Sequence, residues 1–585
     1  MLLGLLARAR ATVSPPTGRV AHRAAEPASY RVGGSPFGVH GTGPHAPPPL
    51  PLWTEDPASG EPLPEGASLD LAPGAFREAR VALRHGWFPA LAFQAARGDR
   101  TAEAAVATAL DGWLRQDVPG TGVAWAHASD LAARLVHWHV GLAWLAASPG
   151  GAPEWLRAAL AGSAGWHIAH LRDRMPRGDA HVARRVAHHA GLVVAGFTFP
   201  DLPDARAARS EGLSGLRYDL PALLHPDGAP RDDAPLRLAE SLWYVAIARA
   251  VTRANGGAFP ADADAAFVRG ARCLERLAGE LGTLPSLGEA PLGDLLAAAT
   301  PLPWSLWNLA RAWGLDDGAP APDADLDPRL AWLSADASGG APEVAGKTWS
   351  MWVFRESGLA VAHMRIKNRP SRVVAEMGSP DVRSPASHVA PLHVLWDVGE
   401  TAVLADAGPS EGAGSLTDWL ASTAAHNALL LDGHTLADAV PAVLGVARVD
   451  GKKARIEGHH TGWHRYRVPL THERDVLLNQ ARLVITDRLV PVRPRVGRHS
   501  VRVSWQLGPG WTLTPEGTGY VAKNGDLTLV IHLPAGLSWS VHTGQTGAHP
   551  VGWVRGPDGP VAAPCLVGDG GVDGAAEFVT SFEIR

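Results

Sequence analysis

The sequence predicts an α+β chain with more than one domain, in which a helical first half precedes a half built of antiparallel β-strands. Two observations lead to this prediction. The chain has 585 residues, which is too long for one compact hydrophobic core. Its hydrophobic pattern also changes, near residue 347, from apolar positions three and four apart to strict alternation. We therefore expect each half to fold around its own core.

The helical half is predicted to cover residues 75–314. Its segments are rich in Ala, Leu and Arg, which favour helices. Short turns such as 148–153 and 255–260 imply that neighbouring helices run antiparallel. About nine paired helices could build a solenoid or an α/α toroid. No repeat of fixed length, the sign of a solenoid, is visible in the sequence, and the toroid is therefore favoured.

The flanking segments set the other domain boundaries. Residues 1–74 are rich in Pro, Gly and Ser and are predicted to be an extended or poorly ordered lead-in. Residues 315–346 are acidic and rich in Pro and Gly, as expected for a linker. Residues 347–585 contain short alternating strands bounded by Gly, Pro, Asn and Asp. This last domain is therefore predicted to be antiparallel β, arranged in layered sheets.

Composition and charge exclude some partners and some modes of stabilisation. The formal net charge of -5 gives no overall positive field of the kind that attracts nucleic acid. We therefore expect no nucleic-acid partner. Cys273 and Cys565 fall in different predicted domains, so a disulfide framework does not organise the fold.

The N-terminal sequence bears on the location of the protein. Its apolar run is broken by Arg8 and Arg10, and no basic residue precedes it, so it is a poor secretory leader. No later segment has the length of uncharged apolar sequence that would span a bilayer. We predict a cytoplasmic protein, with the periplasm as the alternative; the sequence leaves the oligomeric state open.

A candidate metal site lies in the segment 387–427, where His388, Asp406 and His426 are on or beside strand-like runs. Such side chains, far apart in sequence, can meet in a sheet. Two neutral imidazoles and a carboxylate are a sensible ligand set for zinc. With 26 histidines in the chain, a chance approach is the alternative, and the three groups would then form a hydrogen-bonded trio.

Motifs in both halves carry a resemblance to a known family. In the helical half they are AGLVVAGFTFPDLPDARAARSEGL and the residues Trp125, Asp130, Arg134 and Trp138 of WAHASDLAARLVHW. In the β half they are RESGLAVAHMR, STAAHNALLLDG and LVITDRL. With these motifs the chain resembles the heparinase II/III-like polysaccharide lyases over residues 75–505. The resemblance implies an α/α toroid followed by a β-sandwich, and cleavage of a uronic-acid polysaccharide by β-elimination.

The catalytic positions of the family pattern are altered in this chain. The Asn-His pair of the family matches Ala183 and Arg184, and its catalytic tyrosine matches Arg237. The first histidine of its His-x-His-x-Asp segment, which assists catalysis, matches Ala386. The resemblance alone therefore implies the fold more strongly than the activity.

The metal positions of the family pattern are retained. By the same resemblance, the zinc ligands of the family match His388, Asp406 and His426. The implied cofactor is a zinc ion with a structural role, tying strands of the sandwich together close to the domain interface. The residues that match the family's metal ligands are thus retained, whereas those that match its proton-transfer residues are not.

The residues present could still bind and convert an acidic sugar. Elimination requires that the uronate carboxylate is neutralised, the C5 proton is removed and the leaving oxygen is protonated. Arg184, Arg237 and Arg231 could neutralise the carboxylate through bidentate hydrogen bonds. Because the high pKa of arginine makes it a poor base, nearby histidines are the alternative proton carriers: His127, His181, His188 and His189.

The leading hypothesis is a carbon-oxygen lyase that acts on an acidic polysaccharide. The rival is a catalytically inactive homologue that binds polysaccharide or supports its assembly, and for each histidine a packing role is the competing interpretation. The predicted catalytic residues are Arg184, Arg237 and His188, and the predicted substrate contacts are Trp125, His127 and Arg231.

Overall fold

The computed structural model describes most of the chain beyond the N-terminal segment. The described ranges are 62–65, 77–148, 150–178, 181–288, 302–315, 349–378, 389–408, 415–436, 440, 442–493, 497–547, 549–556 and 559–585. The predicted lead-in, apart from 62–65, and nearly all of the predicted linker lie outside these ranges.

The first half is helical and the second half consists mainly of antiparallel strands, so the predicted order of the two halves is confirmed. No helix in the described ranges is both long and apolar enough to cross a membrane. The described α-helices are α1 (Arg77–Leu83), α2 (Trp87–Ala96), α3 (Arg100–Gln116), α4 (Val123–Ala126), α5 (Ala128–Ala146), α6 (Glu154–Asp173), α7 (Val182–Thr198), α8 (Ala205–Ala222), α9 (Pro235–Ala254), α10 (Ala261–Ala278), α11 (Leu302–Ala312) and, within the second half, α12 (Ser415–Leu420).

Helix α7 is central to the packing of the helical half. It contacts α5, α8 and α9, and its Val186, Ala190 and Val193 are fully buried in a core that these helices share. Their three- and four-residue spacing gives the helix an apolar face. Helix α8 approaches closely because Gly212 has no side chain: a Cβ there would lie 2.5 Å from the His189 carbonyl oxygen.

Within the described residues, the second half contains three larger sheets and a two-stranded ribbon, in which neighbouring strands pair antiparallel. The five-stranded sheet has the order β1-β2-β3-β4-β5, the eight-stranded sheet β12-β13-β14-β19-β10-β9-β8-β7, the four-stranded sheet β15-β18-β11-β6 and the ribbon β16-β17. The strands are β1 (Trp349–Phe354), β2 (Leu359–Ile366), β3 (Arg369–Glu376), β4 (His393–Val398), β5 (Thr401–Leu404), β6 (Leu429–Leu431), β7 (Ala442–Asp450), β8 (Lys453–His460), β9 (Leu470–Asn479), β10 (Arg482–Pro491), β11 (Arg498–Gln506), β12 (Thr512–Glu516), β13 (Gly519–Asn524), β14 (Leu527–His532), β15 (Ser538–Thr543), β16 (Trp553–Gly556), β17 (Gly559–Ala562), β18 (Pro564–Asp573) and β19 (Ala576–Ile584).

The three larger sheets share one hydrophobic core. Trp396 in β4, Ile485 in β10 and Trp505 in β11 belong to different sheets and are all fully buried in it. Strands β9 and β10 alternate buried and half-buried residues along their length, as expected where one face of a sheet packs on a core. Cys273 and Cys565 are buried free thiols, in agreement with the prediction that disulfides do not organise the fold.

Polar contacts at the end of α10 join the helical half to the five-stranded sheet. Arg372, which is buried, donates from Nη1 to the carbonyl oxygens of Leu277, at 3.0 Å, and Thr283, while its Nη2 lies 2.7 Å from Asp397 Oδ2. His363 Nε2 donates to the Arg276 carbonyl oxygen at 2.7 Å. Helix C-termini leave such carbonyls without intrahelical partners, so the sheet supplies the missing donors.

Replacing Arg372 by Ala is expected to destabilise the protein by about 1.5–3 kcal/mol, because it leaves buried carbonyl oxygens and a carboxylate without their donor. Urea unfolding followed by tryptophan fluorescence measures the change. Arg502→Ala is the matched control: Arg502 pairs with Asp569 on an exposed part of the sheet, where an ion pair contributes at most about 1 kcal/mol. Equal effects of the two substitutions would contradict this account of the junction.

Candidate functional site

Three buried side chains form a candidate metal site in the second half of the chain. They are His393, Asp406 and His426, each with one potential ligand atom within 4.8 Å of those of the other two. His426 Nδ1 lies 2.5 Å from Asp406 Oδ1, and His393 Nε2 lies 3.4 Å from the same oxygen. Two imidazoles and a carboxylate converging in this way suit a divalent metal ion in donor type and spacing.

The hydrogen bonds around His393 also fit a trio without metal. The Asn427 backbone N–H donates to His393 Nδ1 at 3.2 Å, so a neutral His393 ring carries its hydrogen on Nε2 and points it towards Asp406. Metal binding through Nε2 would require the ring to give up this contact, because a metal ligand must offer a lone pair. Both interpretations from the sequence, the metal site and the hydrogen-bonded trio, thus have a structural counterpart.

The structure brings together two of the three predicted ligands, Asp406 and His426. The third, His388, lies outside the described residues, so its contribution stays a prediction. The sequence analysis did not predict His393 as a ligand, although the pairing of β4 with β5 in a hairpin indicates its position. Trp396 in β4 pairs with Leu404 in β5, and this register brings the start of β4 beside the residues that follow β5.

A buried arginine fixes the backbone next to two members of the cluster. Arg474 Nη1 donates to the carbonyl oxygens of Leu392, at 2.7 Å, and Asn427, at 2.6 Å. Its Nε and Nη2 donate to the two oxygens of Asp487 at 2.7 and 3.0 Å. Burial tends to raise the pKa of Asp487, but Arg474 and His472 lower it to about 2, so the ion pair persists at neutral pH.

The amide of Asn427 connects the same backbone to two neighbouring strands. Its Nδ2 donates to the carbonyl oxygens of Val394, at 2.9 Å, and Ala405, at 3.0 Å, and its Oδ1 accepts from Gln506 N at 2.6 Å. Asn427 and Arg474 therefore hold the residues adjacent to all three members of the cluster. Such supporting contacts determine how metal ligands are oriented.

A second polar cluster lies in the helical half, and we call it the basic pocket: Arg80, Arg84, His127, Asp130 and Arg184. Arg80 Nε and Arg84 Nε each donate to an oxygen of the buried Asp130, at 2.8 and 2.7 Å. Burial tends to raise the pKa of Asp130, but the two guanidinium groups hold it well below its usual range. Asp130 is thus an ionised anchor for two cations.

Helix α9 closes one side of the basic pocket. Arg84 Nη1 lies 3.3 Å from Glu240 Oε1, and the Tyr244 hydroxyl donates to the Ser129 carbonyl oxygen at 3.4 Å. Arg237, in the first turns of the same helix, exerts an electrostatic effect on Tyr244. Tyr244 is buried and its pKa is raised by burial, so its hydroxyl stays protonated.

His127 is the half-buried imidazole of the pocket. Its Nε2 is buried and has no hydrogen-bond partner among the described residues. Burial, and next Arg80, lower the pKa of His127 to about 4, with smaller contributions from Arg184 and Arg84, whereas Asp130 raises it. The ring is therefore neutral at neutral pH, because burial and the positive charges of the three arginines both disfavour its protonated form.

Two other predicted site residues lie in the interior. The ring of Trp125 packs 4.4 Å from the ring of His167, and its indole N–H donates to Asp117 Oδ1 at 2.7 Å. His188 is fully buried, with neither ring nitrogen hydrogen-bonded to a described residue, and burial is the main cause of its pKa near 3. These surroundings favour packing roles for both side chains over direct contact with a substrate.

Arg231 lines a different space, an open cavity of about 590 Å³ that also borders Arg269 and Glu356. The turn before Arg231 packs tightly on α10, because a Cβ at Gly228, whose φ is +93°, would lie 2.4 Å from the Arg269 carbonyl oxygen. The backbone N–H of Glu356 donates to Asp227 Oδ2 at 3.0 Å. The cavity therefore lies where the helical half meets the five-stranded sheet.

Comparisons with known proteins agree with this architecture. The family model for the heparinase II/III-like C-terminal domain matches residues 346–559. No curated protein matches the sequence.

Solved structures resemble the chain over most of its length. Heparinase III is 15% identical with a TM-score of 0.65, covering 89% of this chain and 78% of the heparinase chain. A mutant of the heparan sulfate lyase HepC from Pedobacter heparinus is 15% identical with a TM-score of 0.56, covering 88% and 78%. At such identity these structures show a shared fold. Together with the match of the family model to residues 346–559, they agree with the resemblance seen in the sequence: the second half carries a heparinase II/III-like C-terminal domain, and the fold of the chain is similar to that of the heparinases.

Proposed function

We propose that the protein is a polysaccharide lyase that cleaves an acidic, uronate-containing polysaccharide by β-elimination. The observation that carries this proposal is the cavity between the two halves, which Arg231 and Arg269 both line. Its volume of about 590 Å³ lies within the usual range of ligand sites. Heparinase III and the heparan sulfate lyase, whose folds resemble this one, support the choice of substrate class.

The charge in this cavity fits a ligand with carboxylate groups. Arginine presents a planar fork of donors that pairs with a carboxylate through two parallel hydrogen bonds. The Nε of Arg269 is buried and has no hydrogen-bond partner among the described residues, so a ligand oxygen could accept its hydrogen. Arg184, in the basic pocket, and Arg237, in the first turns of α9, would supply further positive charge along the path of a polymer.

The two halves are proposed to form an α/α toroid and a β-sandwich. The close packing of α7 on α5, α8 and α9 and the core shared by three sheets support these arrangements. A cleft between a toroid and a sandwich would leave the cavity around Arg231 and Arg269 open to an extended chain of sugars.

We also propose that the buried cluster binds one zinc ion with a structural role. His393, Asp406 and His426 would hold it, and His388 remains a predicted ligand. The ion would tie the start of β4 to the residues after β5 and before β6. Zinc fits this donor set, although other divalent ions accept the same donors.

The proposed activity is tested by measuring turnover on a panel of alginate, heparan sulfate, hyaluronan and glucuronan. The ultraviolet absorbance of the unsaturated uronate product reports the turnover. On any polymer that is cleaved, Arg231→Ala and Arg269→Ala are each expected to lower kcat/KM about tenfold or more, since a lost charged hydrogen bond costs about 1.5–3 kcal/mol.

Arg502→Ala serves as the control, because Arg502 forms an exposed pair with Asp569 in the four-stranded sheet. Binding of these polymers without turnover would favour the rival, a catalytically inactive polysaccharide-binding protein. Turnover that is insensitive to both substitutions would show that this cavity is not the substrate site.

Elemental analysis of the purified protein is expected to find about one zinc ion per chain. His393→Ala and His426→Ala should each reduce this content. Removing the metal with a chelator should lower the midpoint of thermal unfolding, because a ligand that binds only the folded state stabilises it.

His499→Ala is the matched control for the metal measurement. His499 pairs with Asp432 at 2.7 Å in the same half of the chain but lies outside the cluster, so its zinc content should equal that of the wild type. Wild-type protein that contains no metal and gains no stability from added zinc would leave the hydrogen-bonded trio as the correct description.

A further inference from the structure

We propose that Trp352 and Arg276 form a second sugar-binding subsite, which holds a uronate unit of the polysaccharide chain beyond the cavity of Arg231 and Arg269. This inference rests on the proposed function for its ligand, an acidic polysaccharide. It adds a place where the polymer is bound away from the cavity. The subsite lies where β1, the edge strand of the five-stranded sheet, meets the last turn of α10.

The subsite consists of an exposed aromatic ring and a cation. Trp352 in β1 is 39% exposed, and the guanidinium carbon of Arg276 lies 4.2 Å from the centre of its ring. Within the described part of the chain, the Arg276 side chain forms no hydrogen bond or ion pair, and the Trp352 indole N–H has no acceptor. The pair therefore offers an apolar ring, an indole donor and several guanidinium donors to a ligand.

The charge of Arg276 is not neutralised as it is for other arginines at the junction. Arg365 and Arg372 each pair with a carboxylate. Among the described residues, neither Arg269 nor Arg276 does so. Glu275, beside Arg276 in the chain, offsets part of its charge without forming an ion pair. This stretch of the junction thus keeps positive charge that an anionic ligand can offset.

The pair is aligned with the cavity along two elements of the structure. Arg269, which lines the cavity, and Arg276 are two turns apart on one face of α10, about 10 Å along the helix. On the sheet side, Glu356 lines the cavity and Trp352 precedes it in the chain. Phe354, between them, is buried in the apolar contact of the two halves. The cavity and the pair therefore follow each other along the same junction.

This spacing suits a polymer better than a single sugar. The distance along α10 is longer than one pyranose ring, so Arg269 and Arg276 would contact different units of one chain. The carboxylate of the outer unit would accept hydrogen bonds from the Arg276 guanidinium, while the C–H face of its ring would pack against the Trp352 indole. Contacts at two linked positions raise the affinity, because the second contact forms within the complex made by the first.

The test compares disaccharides with hexasaccharides prepared from alginate, heparan sulfate, hyaluronan and glucuronan, with Kd measured by isothermal titration calorimetry. The wild type is expected to bind the hexasaccharide of at least one polymer more tightly than its disaccharide. Trp352→Ala and Arg276→Gln should each weaken this hexasaccharide binding at least about fivefold, as expected for truncation of a Trp or Arg anchor, and leave disaccharide binding unchanged. For a hexasaccharide that is cleaved, KM replaces Kd, and kcat should not change.

A purely structural role of the pair predicts a different pattern, because a displaced junction would weaken the binding of both oligosaccharides. Trp352→Phe, which keeps a ring, should retain most of the hexasaccharide affinity. Two controls should bind as the wild type does. Trp155→Ala removes an exposed tryptophan from α6, and Arg217→Gln removes an arginine that packs on Tyr218 but is neutralised by Asp262. Circular dichroism and the thermal unfolding midpoint show whether each variant is folded.

The outcomes separate this inference from the proposed function. Equal weakening of disaccharide and hexasaccharide binding, or hexasaccharide binding that is insensitive to both substitutions, would overturn the subsite, and cleavage of a polymer by the wild type would still support the lyase. Hexasaccharide binding that depends on Trp352 and Arg276, without turnover of any polymer, would support the subsite and refute the lyase. If the wild type binds none of the polymers, both proposals fail.

Discussion

The organisation of the helical half depends on one buried carboxylate. Asp130 would be costly to bury as an isolated charge, and the guanidinium groups of Arg80 and Arg84 compensate for it at 2.8 and 2.7 Å. Since Arg84 also reaches Glu240, this single charge ties α1 to the start of α5 and to α9. These pairs also shape the electrostatics of the pocket, since Arg80, Arg84 and Arg184 lower the pKa of His127 whereas Asp130 raises it.

In the β half, another buried carboxylate is compensated by an arginine, but this ion pair has a different structural role. Asp487 and Arg474 are both buried, and the arginine donors not used by the carboxylate bind the carbonyl oxygens of Leu392 and Asn427. A buried ion pair is favourable only when its remaining donors are satisfied in this way. Here their partners are the residues adjacent to His393 and His426, so the ion pair also sets the geometry of the candidate metal site.

The two clusters lie in different halves, and the junction determines how the halves face each other. Backbone carbonyls at the end of α10 accept hydrogen bonds from Arg372 and His363, while Phe354 and Leu277 pack in a small apolar core between the halves. The cavity that holds Arg231 and Arg269 opens beside this junction. A ligand bound there would contact both halves, and its affinity would therefore depend on the polar contacts that hold them together.

The sequence by itself determined the order of the two halves, because hydrophobic periods of 3.6 and 2 are local properties of the chain. It also identified Asp406 and His426, which a resemblance to a family could match position by position. The tertiary structure alone decided that Arg80 meets Asp130, 50 residues away, that His393 joins the candidate metal site and that Trp125 and His188 are buried in the interior. Contacts between distant segments depend on how helices and strands pack, and a local pattern carries no record of that packing.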